Sequence, residues 1–213
     1  MKTLPLLLLA LAAGASQAAS GVAITEWMYK GQVGEFIEFT NLSGAAIDFS
    51  GWSFDDDSRK AGTVSLSAFG LVQAGESVIL TEVDASAFRA EWNLAASVKV
   101  IGDNTTNLGK ADEINLFDAK GLLADRLTYS GDPVTDGKSG RATSFAALGA
   151  NTLGQWTLSA VGDSEGSWLS ATGDIGSPGH TQFAAAVPEP ETYALMLAGL
   201  AAVGVVARRR QGR

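Results

Sequence analysis

Short hydrophobic runs separated by turn-forming residues fill the chain from Val22 to about residue 160. In several of these runs apolar and polar side chains alternate, which is the period of a β-strand with one buried face. The runs recur about every 8–16 residues, and short strands at such a spacing are typical of an antiparallel sandwich or barrel. The predicted strands cover residues 22–28, 35–39, 47–49, 52–54, 78–80, 98–101, 114–117, 123–129 and 156–160.

One helix is predicted among the strands. Asp84 is a suitable N-cap residue, and in the segment from Ala85 to Trp92 the side chains of Phe88 and Trp92 fall on one face. A single helix does not give the regular strand–helix alternation of a parallel α/β fold. After the helix, Ser, Thr, Gly and Asn crowd residues 131–179, which favours long loops with few strands. The predicted fold class is therefore all-β.

The first residues have the pattern of a secretory signal peptide. Lys2 supplies one positive charge, residues 4–13 are almost wholly apolar, and small residues follow. This apolar stretch is shorter than the roughly 20 residues of a membrane-spanning helix. Small side chains at its end favour cleavage by signal peptidase after Ala18, with Ala19 as the near alternative. We therefore expect residues 1–19 to be removed when the protein is exported.

The last residues combine a rigid motif, an apolar run and a basic tail at residues 208–213. The motif consists of Val187, Pro188, Glu189 and Pro190, and the basic cluster consists of Arg208, Arg209 and Arg210. Residues 192–207 carry no charge, and as a helix they would measure about 24 Å, somewhat less than the ~30 Å hydrocarbon core of a bilayer. The arginines favour the cytoplasmic side. The pattern predicts a short transmembrane helix with the β-domain outside, and a plain tail anchor would show the same helix.

Composition narrows the class of partner. The chain has no cysteine, which excludes disulfides, thiolate catalysis and cysteine-ligated zinc. Between the two end segments, 10 basic residues stand against 21 acidic residues. An acidic surface of this kind repels phosphate backbones, so we expect the mature domain not to bind nucleic acid.

One stretch has the form of a hydrolase nucleophile motif. Residues 162–166 read Gly-Asp-Ser-Glu-Gly, and Asp174 and His180 follow Ser164 in the order of a Ser–Asp–His triad. Such a nucleophile needs a strand before it and a helix after it, and the sequence that follows Ser164 has no helical period. The three residues also lie too close along the chain to come from separate strands. We therefore predict that the protein is not an enzyme, and an extracellular hydrolase that uses Ser164 and His180 is the alternative.

Two further groups of residues are candidates for binding. His180 is the only histidine of the chain, so zinc sites built from two or three histidines are excluded. Asp55, Asp56 and Asp57 are weak candidates for calcium, and a calcium-stabilised adhesion domain is a second alternative. Three adjacent side chains at a strand end do not all point at one ion, which favours a solvated acidic turn. We expect no cofactor, and we expect most of the five tryptophans to lie in the core.

An ordered set of motifs runs through the β-rich region. The set consists of Ile24-Thr25-Glu26, residues 34–41, 47–55, 72–78, 112–118 and 123–129, then Ser139-Gly140-Arg141 and Gly176-Ser177-Pro178-Gly179. It resembles the lamin-tail domain, a family found in nuclear lamins and in many exported bacterial proteins. The resemblance implies an immunoglobulin-like antiparallel β-sandwich with no common catalytic machinery. In the second strand of this sandwich we expect Glu35 and Glu38 to lie on a hydrated face while Phe36 and Ile37 are buried.

The C-terminal pattern resembles the PEP-CTERM sorting signal. This resemblance implies recognition by an exosortase, a membrane cysteine protease that cleaves near the Pro-Glu-Pro. The predicted organisation is a signal peptide at residues 1–19, a lamin-tail-like β-sandwich at residues 20–184 and a sorting segment at residues 185–213. The predicted protein is non-enzymatic, is held at the inner membrane by its tail, and is then processed and released to the outer envelope, cell surface or extracellular matrix. Its expected partners there are exopolysaccharide and envelope proteins.

Overall fold

The computed structural model describes residues 21–184, and β-strands dominate this part of the chain. The strands are β1 (Val22–Met28), β2 (Phe36–Asn41), β3 (Ile47–Asp48), β4 (Ser53–Asp55), β5 (Val64–Ser65), β6 (Leu71–Val72), β7 (Ser77–Thr81), β8 (Lys99–Ile101), β9 (Asp112–Phe117), β10 (Leu123–Tyr129), β11 (Gly140–Ala142), β12 (Trp156–Leu158), β13 (Trp168–Leu169) and β14 (Ile175–Gly176). The helices are α1 (Ala85–Glu91) and three short 3-10 helices, Ser67–Phe69, Phe145–Ala147 and Leu153–Gln155.

Two larger sheets form the frame of the domain. The six-stranded sheet has the order β12-β11-β1-β2-β7-β8, and the four-stranded sheet has the order β10-β9-β4-β5. Neighbouring strands of these sheets are antiparallel, except that β7 and β8 are parallel. The remaining strands form two small two-stranded sheets, β3-β6 and β13-β14.

A hydrophobic core fills the space between the two sheets. Trp27 and Ile37 from the six-stranded sheet, and Phe54 and Leu116 from the four-stranded sheet, are each at most 1% exposed. Burial of apolar surface stabilises such a layer by about 25 cal/mol per Å². The packing of the two sheets confirms the predicted all-β, immunoglobulin-like sandwich.

A buried carboxyl group connects the two sheets. Strand β1 has a bulge between Ile24 and Glu26, where its pairing with β2 shifts by one residue. The Ile24 amide donates a hydrogen bond to Oδ2 of Asp125 in β10, at 2.8 Å. Burial raises the pKa of Asp125 to about 6. The alternating segment 123–129 therefore turns Asp125 inward, where it binds a backbone donor of the opposite sheet.

Helix α1 covers one end of the outer face of the six-stranded sheet. The carboxylate of Asp84 accepts hydrogen bonds from two amides of the first turn, at 2.9 and 3.0 Å, which confirms the predicted N-cap. Phe88 and Trp92 pack on Phe36 of β2, with ring centroids 5.5 and 5.8 Å apart. Because α1 lies between β7 and β8 in the chain, it serves as the crossover that a parallel pair requires.

Residues 132–184 contain more regular structure than the sequence predicts. Strand β11 pairs with β1, and β12 pairs with β11, so this segment extends the six-stranded sheet. The hairpin β13-β14 then leads into Ser177–Ala184, which we call the strap. Strands β11, β13 and β14 have only two or three residues, too few for a period to be recognised.

Three predictions lie outside the residues that the structure describes: the signal peptide at residues 1–19, the transmembrane helix at residues 192–207 and the basic tail at residues 208–213. Within residues 21–184, no helix has the length and the apolar character needed to cross a membrane.

Candidate functional site

The predicted sorting residues also lie outside residues 21–184, so they stay predictions from the sequence. They are Val187, Pro188, Glu189 and Pro190 of the motif, Arg208, Arg209 and Arg210 of the basic cluster, and Ala18 and Ala19 at the signal-peptide cleavage position. The structure does describe the end of the domain that precedes the motif. Two residues, Ala185 and Ala186, separate the last described residue of the strap from Val187.

The predicted nucleophile motif, residues 162–166, forms a surface loop that Asp163 organises. The carboxylate of Asp163 accepts three hydrogen bonds from backbone amides of this region, at 3.0–3.2 Å, and lies 2.7 Å from Nε of Arg141. The exposed hydroxyl of Ser164 accepts hydrogen bonds from Nη1 of Arg141 at 3.2 Å and from Nε2 of Gln182 at 3.3 Å. Neither neighbour is a general base, so these contacts do not activate Ser164 as a nucleophile.

The structure does not join Ser164, Asp174 and His180 through hydrogen bonds. Oδ2 of Asp174 accepts a hydrogen bond from the Gln32 amide at 2.7 Å. His180 is exposed, and its backbone amide donates to the carbonyl oxygen of Ser177 at 3.0 Å. A catalytic triad needs the nucleophile within reach of the base, and the base within reach of an orienting acid. The hydrogen bonds in residues 21–184 do not provide that chain of contacts.

The three calcium candidates have different environments. Asp55 is buried, and its carboxylate accepts hydrogen bonds from the hydroxyls of Thr63 at 2.6 Å and Ser58 at 2.8 Å. Burial opposes ionisation of Asp55, but these hydrogen bonds outweigh it and lower the pKa. Asp56 is half-buried and Asp57 is exposed. Among residues 21–184, no three Asp, Glu, His or Cys side chains are grouped in a way that could hold a metal ion.

Most tryptophans are core residues, as the sequence predicts. Trp27, Trp52, Trp92 and Trp156 are buried, and Trp168 is half-buried. The ring of Trp27 contacts that of Trp156 at 5.0 Å between centroids, and the ring of Trp168 contacts that of Trp92 at 6.0 Å. The four buried rings therefore do not offer a flat aromatic surface to a ligand.

A polar network is buried on the outer face of the six-stranded sheet, beneath the strap. Its centre is a pair of glutamates, Glu26 in β1 and Glu38 in β2, which lie opposite each other in the sheet. Oε1 of Glu26 accepts hydrogen bonds from the Ser177 amide at 2.8 Å and from the Ser139 hydroxyl. Oε2 of Glu26 accepts a hydrogen bond from the Ser177 hydroxyl at 3.1 Å. Glu26 thus binds both a backbone and a side-chain donor of the strap.

Glu38 also binds the strap, through one backbone donor. Its Oε2 accepts a hydrogen bond from the Gly179 amide at 2.6 Å, and its Oε1 accepts one from the Thr25 hydroxyl at 2.6 Å. The hydroxyls of Thr25, Thr40 and Ser77 continue the network across three strands, at oxygen–oxygen distances of 2.8 and 2.7 Å. We call this set of residues, with Glu26 and the strap donors, the outer polar network.

The expectation of a hydrated face for β2 was wrong. Every residue of β2 is buried, and Glu35 and Glu38 are 3% and 0% exposed. For Glu38 the reason is a third layer: α1 covers the apolar end of this face, and the strap covers the acidic end. Glu35 is buried beside the segment around Leu108, whose amide donates a hydrogen bond to its Oε2 at 2.6 Å. A strand with covers on both faces does not show the alternation of a half-exposed strand.

The environment of the outer polar network favours the protonated form of its glutamates. Burial raises the pKa of Glu26 and that of Glu38 above the usual range, and the charge of Glu26 raises the pKa of Glu38 further. Hydrogen bonds from the strap oppose this effect. Strand β14 comes close to Glu26 at Gly176, where a Cβ atom would lie only 2.9 Å from Oε1 of Glu26. The glutamates are therefore structural acids that fix the strap on the sheet.

The motif set contained these residues, but sequence reasoning missed their common role. Ile24-Thr25-Glu26, Glu38, Ser139 and the Gly176-Ser177-Pro178-Gly179 turn meet at one place, although more than a hundred residues separate Glu26 from the turn. The available signal was the presence of an acidic residue inside each of two strands that also carry several large apolar side chains. A buried acid needs donors, and the Ser-rich turns near the end of the domain are where such donors are found.

Comparison with known proteins gives two matches. The chain matches the Lamin Tail Domain family over residues 15–131 and the PEP-CTERM protein-sorting motif over residues 186–211. Neither the curated proteins nor the solved structures gave a match. The sorting motif indicates an exported protein that is sorted to the cell envelope or surface and processed by an exosortase, which is a membrane protein.

The family match covers more than half of the chain and includes β1 to β10. It begins before β1, inside the predicted signal peptide, and ends at Gly131, before the strands that complete the six-stranded sheet. The motifs, the immunoglobulin-like sandwich and this match agree. The chain belongs to the Lamin Tail Domain family.

Proposed function

We propose that the protein is a non-enzymatic interaction module of the cell surface or the extracellular matrix, delivered there by an exosortase-type system. The observation that carries this proposal is the PEP-CTERM motif at residues 186–211, directly after a folded β-sandwich. In this proposal signal peptidase removes residues 1–19, residues 20–184 form the functional domain, and residues 185–213 serve for sorting.

The sorting segment acts in two steps in this proposal. The helix at residues 192–207 holds the precursor in the inner membrane, with Arg208 to Arg210 on the cytoplasmic side. The exosortase then breaks one peptide bond near Pro188-Glu189-Pro190. The acyl carbon of the retained chain bonds to the cysteine sulfur of the enzyme and then passes to water or an amine, while the released segment takes up a proton at its new amino group. The domain leaves the inner membrane for the outer envelope or the matrix.

The contacts of Ser164 support the non-enzymatic part of the proposal. Its hydroxyl accepts hydrogen bonds from Arg141 and Gln182, and His180 is not among its partners in residues 21–184. We expect Ser164→Ala and His180→Ala to leave any hydrolysis of ester or peptide substrates by the purified protein unchanged. A large loss shared by both variants would establish the extracellular hydrolase instead.

The acidic surface supports a choice of partners. Between the end segments the chain has 21 acidic and 10 basic residues, so the surface of the domain disfavours nucleic acid. Exopolysaccharide or envelope proteins are the proposed ligands. A pull-down with the mature domain against matrix polysaccharide and purified envelope fractions tests this choice. Its control is the same domain after heat denaturation, which should retain no ligand.

Replacing Pro188, Glu189 and Pro190 with alanine tests the sorting function. The replacement leaves the apolar helix and the arginines intact, but it removes the extended, charged segment that a protease would read. We expect the variant to accumulate uncut in the inner membrane, while the native protein is cut and leaves that membrane. Fractionation with mass spectrometry measures both species. A variant that is cut and released like the native protein would show that the motif is not the recognition element.

A further inference from the structure

The end of the strap is attached to the domain immediately before the sorting motif. The amide of Gln182 donates a hydrogen bond to Oε2 of the buried Glu165 at 2.6 Å. The ring of Phe183 packs edge-on against that of Phe145, with 6.3 Å between centroids, and also packs against the main core. The ordered contacts of the domain therefore continue to within a few residues of Val187.

This attachment limits how far the motif lies from the domain. A fully extended chain spans at most about 3.6 Å per residue, so Pro188 lies within about 14 Å of Ala184. A protease binds several residues on both sides of the bond that it cuts, in an extended conformation. With the strap attached, only Ala185 and Ala186 separate the ordered contacts of the domain from the motif along the chain. Detachment of Thr181–Ala184 would add about 14 Å of free chain.

The two halves of the strap, residues 177–180 and residues 181–184, are attached to the domain with different strength. The first half is fixed by buried groups, since Ser177 binds Glu26 and Gly179 binds Glu38 beneath the surface. The second half lies nearer to the surface: Thr181 and Glu165 are buried, but Gln182 is exposed and Phe145, the ring partner of Phe183, is 49% exposed. Local opening is cheapest where buried contacts are few. The second half is therefore the part that opens without unfolding of the sandwich.

We propose that Thr181–Ala184 must detach from the domain before the exosortase can cut, so that the strap regulates the rate of sorting. This inference rests on the proposed function, since it concerns the access of that enzyme to that motif. The domain thereby controls its own release: the open fraction of the strap sets the concentration of cleavable precursor.

Variants of the strap contacts in the full-length precursor test the proposal. Phe183→Ala and Glu165→Ala each weaken the attachment of the second half, since the first removes the ring contact and the second removes the acceptor of the Gln182 amide. We expect each to speed processing by about three- to tenfold in cells that contain the exosortase. Leu122→Ala is the surface control, because Leu122 is 61% exposed and far along the chain from the strap. Ile37→Val is the stability control, because it loosens the main core and leaves the strap contacts in place. Both controls should be processed at the native rate.

A flexible insert separates the role of the strap from that of the motif. A Gly-Ser segment of about ten residues between Ala184 and Ala185 supplies free chain without detachment. We expect the insert alone to raise the rate of processing, and we expect Phe183→Ala to add nothing to it. Equal rates for the native, Phe183→Ala and inserted precursors, or slower processing of Phe183→Ala, would overturn the strap proposal and leave the proposed function intact. If neither the native nor the inserted precursor is cut, the proposed function fails, and the strap proposal fails with it.

Discussion

The two faces of the six-stranded sheet use the same strands but bury their side chains by different means. On the inner face, Trp27 and Ile37 pack against the four-stranded sheet in an apolar layer. On the outer face, Glu26 and Glu38 lie beneath the strap and accept hydrogen bonds from it. The inner face depends on apolar area removed from water, whereas the outer face depends on a partner for every buried polar group. Its two buried glutamates make the outer face sensitive to pH.

The covers of the two faces also come from different parts of the chain. The four-stranded sheet covers the inner face, and its strands lie within the family match at residues 15–131. The strap that covers the acidic end of the outer face comes after this match. The outer polar network therefore links the matched part of the domain to the segment that leads into the sorting signal.

Removal of the largest inner-face side chain should have the largest effect. Trp27 is fully buried and contacts Tyr129 and Trp156, and a Cβ at Gly140 would overlap its ring. We expect Trp27→Ala to lower the free energy of unfolding by about 3–5 kcal/mol, since it leaves a cavity. Urea denaturation measures this change, with the exposed Leu169→Ala as a control that should lose little. If Trp27→Ala lowered the free energy of unfolding by less than Leu169→Ala does, the inner face would not be the main core.

Loss of a carboxyl group from the outer face should have a smaller effect. Glu38→Ala leaves the Gly179 amide and the Thr25 hydroxyl without their acceptor, and a buried unpaired donor costs about 1–3 kcal/mol. Glu38→Gln keeps an acceptor of the same shape, so it should retain most of that stability at neutral pH. The same denaturation experiment distinguishes the two variants. Equal losses for both would mean that packing, and not hydrogen bonding, is what Glu38 contributes.

Sequence reasoning predicted the inner face better than the outer face, for physical reasons. The inner-face strands have apolar side chains at a period of two, as in β1, β2 and β10, and Asp84 marks the start of α1 directly. The outer face depends on which loop covers which strand, and local periodicity contains no information about contacts between residues more than a hundred positions apart. Glu38 was therefore assigned to a hydrated face that does not exist.

The candidate site residues show the same limit. The form Gly-Asp-Ser-Glu-Gly suggested a nucleophile, but in the structure Asp163 binds the amides of its own loop and Ser164 faces Arg141. Asp55 suggested a metal ligand, but hydroxyls and an amide of its own turn occupy its carboxylate. In both cases a short polar segment is explained by its local hydrogen bonds, which a motif does not encode.

The stability of the domain should fall as pH rises from about 5 to about 8. Burial raises the pKa of Glu35 from 4.5 to about 8, and it also raises the pKa of Glu26 and Glu38. Between these values the folded state keeps protons that the unfolded state has lost, so the free energy of unfolding decreases with pH. Glu113, with its pKa lowered to about 2 by Arg59, contributes stability that is lost only below about pH 4.5, outside this window. We expect a decrease on the order of 1–2 kcal/mol.

Thermal melts at several pH values measure this decrease. Glu35→Gln and Glu38→Gln replace a titrating group with one that is neutral throughout, so each should flatten the curve of melting temperature against pH. Asp57→Asn removes an exposed carboxylate and is the matched control. A native melting temperature that rises from pH 5 to pH 8 would contradict the assignment of these glutamates as buried acids.

Calcium should have the smallest effect. Protein donors occupy the carboxylate of Asp55, and we expect the melting temperature to be nearly the same in chelator and in millimolar calcium. A ligand that binds only the folded state at 100 times its dissociation constant would stabilise it by about 2.7 kcal/mol, which a melt detects. A rise of several degrees that disappears when Asp55, Asp56 and Asp57 are replaced by Asn would favour the calcium-stabilised adhesion domain.

The intact mass of the protein recovered from the cell surface tests the central claim most directly. An exported and sorted protein should begin after Ala18 or Ala19 and should end near the Pro-Glu-Pro motif, without Arg208, Arg209 and Arg210. The domain at residues 21–184 should be complete in this species. A surface protein whose mass still includes the three arginines would show that the tail is an ordinary membrane anchor and that the sorting account is wrong.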